Sequence, residues 1–446
     1  MIRFSEASIE ALIDKNGYDC ACGRHHQMDM DYIKIGPGAI ASIPEGLAAM
    51  GAKRPFVVCD VNTKAAAWER VKAALEGAAI PYTFFCLPME QVEPDEHAMG
   101  SMLLAFDPAC DSVLGVGSGV INDCCKVLAH ATGRKQMIVG TAPSMDGYAS
   151  SSSSMVIHGC KVSLTNCCPA AIVCDIDVIK DAPMRMLHAG LGDMLAKYIG
   201  LCEWRIVEII CGEYYCENVA GLMRASLKKI VENAPGLRRR EPQAVQATVE
   251  GLVLSGIAMS YAGTSRPASG MEHYFSHLWE MMALERKIPY ELHGIQVGVG
   301  TLLALRVYDH IRALTPDREK ALAFAQNFDT KAWEGEMRRI FGSAAEGLIQ
   351  QEYTALHNND QAAHKERLER IIAHWGEIQK IIAQELPETK KIESLMREVG
   401  MPMAPADIAI DNQDTNDAFH FARNTRNKYL TSSMLWDLGA LYEIKL

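Results

Sequence analysis

Three stretches in the second half of the chain carry side chains able to hold a divalent ion in otherwise apolar surroundings. They are Asp193 in HAGLGDMLAKYIG, His273 and His277 in SRPASGMEHYFSHLWE, and His293 in YELHGIQVGVG. One carboxylate and two imidazoles suffice to bind such an ion while leaving a position open for water or substrate. His273 and His277 lie four residues apart and share a helical face, so both can ligate, or one can bind metal while the other moves a proton. Spacing does not separate these arrangements. Each residue also has a plain structural role open to it: a helix cap for Asp193, an exposed pair for His273 and His277, a helix start for His293. Lys197, one turn beyond Asp193, and Arg266, just before the histidine pair, are cations that would suit a phosphate on a substrate, or equally stand as solvated surface charges.

A second concentration of chemistry lies earlier, in GVGSGVIND at residues 115–123. Glycines at 115, 117 and 119 let backbone approach a ligand, and the helix that follows aims its free N–H groups and positive dipole end at the same spot, so a pyrophosphate fits there. The spacing is not a strict GxGxxG, and a glycine-rich turn from strand to helix is often only a tight connection. GTAPSMDGYAS, at the end of the next strand, adds the hydroxyls of Thr141, Ser144 and Ser150 and the carboxylate of Asp146, at the sheet edge where ligands of open α/β sheets collect. Asp60, closing PFVVCD, can accept both hydroxyls of an adenine ribose. Singly each is a turn or cap residue; three such edges together point to a nucleotide. Asp60 favours NAD by repelling a 2′-phosphate, an effect that Lys64 can offset.

The elements that must position these groups follow a simple pattern. From Arg54 short apolar runs alternate with helical ones: PFVVCD, PYTFFCL, DSVLGVG and QMIVGTAPS read as strands, KAAAWERVKAALEGA, EHAMGSMLLAFDPA and CCKVLAHATG as helices. That is a parallel sheet wrapped by helices. The serine run after Asp146 reads as a loop within the domain, and HGCKVSL and AAIVCDIDVI as its last strands. Everything after Pro183 has helical periodicity. We therefore expect an α/β dinucleotide-binding domain over 1–182 and an all-helical metal- and substrate-binding domain over 183–446.

Composition narrows the function. With 446 residues the chain is long enough for two cores. A net charge of −11 argues against a sequence-independent grip on nucleic acid, which needs a basic face. The opening MIRFSEASIEALIDKNGYD lacks the basic start and apolar core of a signal peptide, and no run approaches the ~18 apolar residues of a membrane span. A cytoplasmic location without membrane insertion is expected, and with it reduced cysteines. One cysteine cluster is dense: Cys20, Cys22, His25 and His26 in CACGRHH. It suggests a zinc knot, yet Cys-x-Cys-x2-His lacks a second matching pair, so a structured turn is the competing reading and the cluster is left outside the site.

Five of these motifs, GSGVINDCCK, TAPSMDGYAS, GLGDMLAKY, SRPASGMEHYFSH and ELHGIQVGVGT, resemble in this order the sn-glycerol-1-phosphate dehydrogenases. These belong to the superfamily of iron-type alcohol dehydrogenases, glycerol dehydrogenase and dehydroquinate synthase. The match spans roughly residues 30 to 310 and suits the bacterial branch, which often carries a Cys-x-Cys-Gly stretch near its start. The resemblance implies an α/β N-terminal dinucleotide-binding domain followed by an all-α C-terminal domain, the dehydroquinate synthase-like arrangement, with the site in the cleft between them. It implies that Gly119, Val120, Ile121, Asn122 and Asp123 line NAD or NADP together with Thr141, Ala142, Pro143 and Ser144, while Ser150 and Asp60 add hydrogen bonds. It further implies that Asp146 touches substrate, that Asp193, His273 and His293 bind one divalent metal, with Asp193 also meeting substrate, and that His277 contacts substrate and relays a proton.

Zinc or nickel is expected ahead of iron, and a homo-oligomer, dimer or larger, as the assembly. The implied reaction is reversible reduction of dihydroxyacetone phosphate, a small phosphorylated substrate. Dehydroquinate synthase itself places a glutamate where this chain has Asp193. Glycerol dehydrogenase or another polyol dehydrogenase is the alternative enzyme, and a silent nucleotide-binding protein on the same scaffold the alternative without catalysis. The charged tail over 311–400 is longer than the resemblance leads one to expect.

Overall fold

The computed structural model describes residues 2–89, 91–158 and 160–446. Its strands are β1 (Tyr18–Asp19), β2 (His25–His26), β3 (Tyr32–Gly36), β4 (Pro55–Asp60), β5 (Thr83–Leu87), β6 (Ser112–Gly117), β7 (Lys135–Gly140), β8 (Ser152–Ile157), β9 (Cys160–Thr165) and β10 (Ala171–Asp175). Six of them form one sheet in the order β3-β10-β7-β6-β4-β5, and every neighbouring pair is parallel. The apolar runs are nearly continuous because helices cover both faces. In β4, Val57 and Cys59 pack with Trp68, Val71 and Leu75 of the Val61–Gly77 helix. Phe56 and Val58 point the other way, to Cys124, Cys125 and Leu128 of the Gly119–Thr132 helix.

The chain leaves β4 for β5 at one edge, then returns past β4 to β6. This reversal opens a crevice at the carboxyl ends of β4 and β6, where Asp60 and Gly117 stand. The serine run differs from expectation: it is strand β8, paired antiparallel with β9 from Ser152 opposite Thr165 to Ile157 opposite Cys160. Its backbone has partners there, including Asp123 Oδ2, which accepts the Ser154 N–H at 3.0 Å. Backbone pairing outweighs the low strand propensity of serine.

The chain divides into two compact units: Met1–Met194 with Cys216–Ser265, and Leu195–Tyr215 with Arg266–Leu446. They do not follow the boundary drawn at residue 182. The helices Glu217–Asn233 and Pro242–Ala262 pack on each other and against the N-terminal segment, so they belong with the sheet. A helical pattern in sequence gives the apolar face but not what covers it. Every element after Pro183 is helical, as expected, whereas Ile176–Ile179, expected to continue the last strand, is a short helix capped by Asp175. Among the described residues no helix is long and apolar enough to cross a membrane.

Candidate active site

In the second unit three imidazoles gather where the Met271–Arg286 helix meets the His293–Ala313 helix. The two backbones approach closely because residue 300 is glycine; a Cβ there would lie 2.5 Å from the Glu272 carbonyl oxygen. Ring centroids of His273 and His277 lie 5.4 and 5.5 Å from that of His293, and 6.3 Å from each other.

The outer nitrogens of His273 and His293 have partners. Glu272, fully buried, accepts from His273 Nδ1 at 2.8 Å and from the Gly270 N–H at 2.7 Å. His293 Nδ1 meets Ser276 Oγ at 2.9 Å and Glu280 Oε1 at 3.2 Å, and the Ser276 hydroxyl donates to Gln296 Oε1 at 2.8 Å. Such contacts fix tautomer and ring orientation, leaving Nε2 as the donor towards an ion. His277, Glu280 and His293 also offer three ligand atoms within 4.8 Å of one another. Burial pushes the His277 pKa well below the ordinary histidine value, against Glu280 and with help from the charge of Arg426. Burial thus favours the neutral form of the His277 ring.

The two cations read from sequence are not solvated. Arg266 is buried, holds Glu213 through Nε at 2.7 Å and Nη2 at 2.5 Å, and donates Nη1 to the Tyr429 carbonyl at 2.7 Å. Its fork is occupied by this ion pair. Lys197 is wholly buried. Sequence reading missed Glu272, Glu280 and the exposed Arg426, because acidic residues on a helix and a cation in a loop carry no periodic signal.

The nucleotide edge lies in the first unit. β6 and β7 run in register to Gly117 opposite Gly140, so the two turns start side by side. A Cβ on Gly117 would meet Ile121 Cβ at 2.5 Å, so this glycine is required by helix-on-strand packing. Ser118 precedes the Gly119–Thr132 helix without capping it; its hydroxyl turns instead to Ser144. The first-turn N–H groups thus have no side-chain cap from Ser118, the arrangement that suits an anion.

Asp60 caps the Val61–Gly77 helix with one oxygen, which accepts the Thr63 N–H at 2.8 Å. Three other predicted residues turn their side chains inward. Asn122 Nδ2 donates to the Gly147 carbonyl at 3.1 Å, Asp123 pairs with Lys126 at 2.9 Å, and Ser150 Oγ donates to the Ser152 carbonyl at 3.1 Å. Thr141, Ala142, Pro143 and Ile121 are buried, while Gly119, Val120 and Ser144 are partly exposed. Asp193 is fully buried on the Met184–Leu195 helix, where Oδ2 accepts the Asp146 N–H at 2.8 Å; Asp146 Oδ2 accepts from Ser255 at 2.8 Å.

Comparison with known proteins places the chain in a family. A model of iron-containing alcohol dehydrogenases matches residues 34–183. A glycerol-1-phosphate dehydrogenase (NAD(P)+) of Halalkalibacterium halodurans is 30% identical over 415 residues, 92% of this chain and 93% of the relative. The chain belongs to the glycerol-1-phosphate dehydrogenase family. A second member, from Hyperthermus butylicus, is 36% identical over 278 residues, covering 62% of this chain and 77% of its own. The similarity thus reaches well past residue 310 and takes in the charged tail, which relatives in this glycerol-1-phosphate dehydrogenase family share. Among solved structures, a probable glycerol dehydrogenase from Sinorhizobium meliloti superposes with a TM-score of 0.55 at 17% identity, over 93% of this chain and 98% of that one. That likeness carries the fold alone.

Proposed function

We propose that the chain catalyses the reversible NAD(P)-dependent reduction of dihydroxyacetone phosphate to sn-glycerol 1-phosphate. The observation that carries the reading is the set of imidazoles whose Nδ1 atoms are held by buried groups, within a chain that covers 93% of a glycerol-1-phosphate dehydrogenase. The donor chemistry fits a divalent ion: His273 and His293 present Nε2, and Asp193 is the carboxylate that the family resemblance adds. When bound, the ion supplies Lewis acidity to the reacting carbonyl oxygen. Zinc or nickel suits a set of nitrogen and oxygen donors as well as iron does. Reduced thiols suit a cytoplasmic enzyme.

The chain's own residues do the rest. The first turn of the Gly119–Thr132 helix binds the pyrophosphate, and the Asp60 oxygen left over from capping accepts from the adenine ribose. Neutral His277 takes the hydroxyl proton in the oxidative direction and returns it in reduction. Arg426, whose charge already acts on His277, is the cation available to a substrate phosphate.

The test is a substrate panel on protein whose bound ions have been identified. We expect NADH or NADPH oxidation with dihydroxyacetone phosphate, formation of the sn-1 phosphate, and far weaker turnover of dihydroxyacetone or glycerol. Equal rates with the unphosphorylated substrates would transfer the chain to the polyol dehydrogenases. His277→Ala should retain the ion and slow turnover; loss of the ion in that variant would move the metal to the set formed by His277, Glu280 and His293.

A further inference from the structure

The reaction has no use for Cys20, Cys22, His26 and Cys216, yet four ligand atoms of these residues lie within 4.8 Å of one another in the first unit. Cys20 Sγ is 3.7 Å from Cys216 Sγ; His26 Nε2 is 3.3 Å from Cys22 Sγ and 3.6 Å from Cys216 Sγ. A tetrahedral zinc with its usual bond lengths sets sulfur to sulfur edges of about 3.8 Å and sulfur to nitrogen edges of about 3.6 Å. The Cys20–Cys216 and Cys216–His26 separations match those edges, and the Cys22–His26 separation of 3.3 Å is slightly shorter. A disulfide would join only two of the three sulfurs, leaving one thiol and an imidazole crowded beside it.

The surroundings are arranged for an ion as well. The β1–β2 pair closes over a turn in which Cys20 N–H donates to the Arg24 carbonyl at 3.1 Å, Gly23 N–H donates to the Cys20 carbonyl at 3.0 Å, and Gly23 adopts φ +82°. Two-residue alternation then turns His25 to solvent and buries His26. His26 Nδ1 donates to the Tyr261 carbonyl at 2.9 Å, which leaves Nε2 unprotonated and facing the sulfurs. Cys216 immediately precedes the Glu217–Asn233 helix, and the Val219 N–H donates towards its sulfur. The Asn218 amide lies 3.9 Å from Cys20 Sγ, and the same side chain binds the Ile2 carbonyl and the Phe4 N–H at 3.0 and 2.9 Å.

We propose that Cys20, Cys22, His26 and Cys216 form a second metal site, a closed structural zinc centre that fastens the N-terminal segment to the Glu217–Asn233 helix. With four protein donors it has no position for substrate, so its role is to hold the fold.

The test uses full-length protein prepared with a thiol reductant. Elemental analysis should find one zinc equivalent per chain fewer in a Cys20→Ser/Cys22→Ser variant than in wild type, while His273→Ala keeps that equivalent. Cobalt substituted for zinc should give a thiolate charge-transfer band in wild type and in His273→Ala, absent from the cysteine variant. These two residues are chosen because they are only half-buried, whereas Cys216 is buried and its replacement can prevent folding. Equal zinc content in wild type and the cysteine variant would overturn the proposal. So would free alkylation of Cys20, Cys22 and Cys216 themselves in native wild type, read by peptide mapping, or a mass deficit showing a disulfide among these three.

Discussion

Among the described residues two clusters of metal-competent side chains stand out, and they differ in what they leave open. The N-terminal one offers three sulfurs and an imidazole at tetrahedral separations, all from one unit. The histidine cluster offers imidazoles whose outer nitrogens rest on Glu272, Ser276 and Glu280. Three thiolates more than neutralise a divalent ion and quench its pull on a bound oxygen. Imidazoles are neutral, so the ion they hold keeps its charge for a substrate carbonyl. Ligand charge and open positions, more than ligand count, separate an ion that holds a chain from one that does chemistry.

The strongest way to break this comparison is to disable each cluster in turn. His273→Ala or His293→Ala should reduce turnover to background and remove one ion, with nucleotide binding and melting temperature nearly unchanged. Cys20→Ser/Cys22→Ser should show the reverse, a fall of several degrees in melting temperature with kcat kept in the folded fraction. Steady-state kinetics and thermal melts on the same preparations read both. Melting of the histidine variants as low as the cysteine variant would dissolve the distinction.

A smaller effect tests whether the carboxylate behind His273 tunes the ion. Glu272→Gln keeps the volume and removes the charge that fixes the imidazole, so metal affinity or kcat should fall about 10- to 100-fold. Competition with a chelator gives the affinity. An unchanged affinity would mean that Glu272 only fills space.

The contrast also separates what the sequence could say from what it could not. The β6 to Gly117 to helix unit was legible because alternation, glycine and helical periodicity are local. The histidine cluster was legible in part: spacing put His273 and His277 on one face, while the buried Glu272 behind them looked like any glutamate on a helix. CACGRHH drew attention, but its missing ligand is Cys216, separated by nearly two hundred residues and fixed only by packing of the Glu217–Asn233 helix. Of the two histidines in that stretch, His26 and not His25 faces the sulfurs, because the strand alternates its side chains. Arg266 suited a phosphate on sequence grounds, until its bidentate pair with Glu213 was in view.

Arg426 sharpens the substrate side of the open cluster. Hydrogen bonds to charged groups contribute about 1.5–3 kcal/mol, so Arg426→Ala should raise KM for dihydroxyacetone phosphate about 10- to 100-fold. The slow rate with dihydroxyacetone should not change, because that substrate has no phosphate to lose. Parallel losses on both substrates would assign Arg426 to the electrostatics of His277 instead.

The smallest effect concerns the closed cluster and what else holds its segment. Lys15 and Asp31 bracket the cysteine turn, and Asp31 is paired with Lys15 and, at 2.7 Å, with Lys135. Burial alone would raise the Asp31 pKa, but hydrogen bonds from Lys135 and Lys15 overcome it and the value lies below the ordinary carboxylate range. A depressed pKa contributes stability above the unfolded value near ~3.9, and loses it as pH falls through the folded one. Asp31→Asn should therefore cost at most about 1 kcal/mol at pH 7, since both lysines are exposed. The cost should hold from neutral pH to about pH 5 and fade below about pH 4. Zinc held by thiolates is released as acid protonates its ligands, so the measurement belongs in the Cys20→Ser/Cys22→Ser background, where loss of zinc does not overlap the carboxylate titration. A cost that disappears near neutral pH would show that the pair is not what steadies the segment.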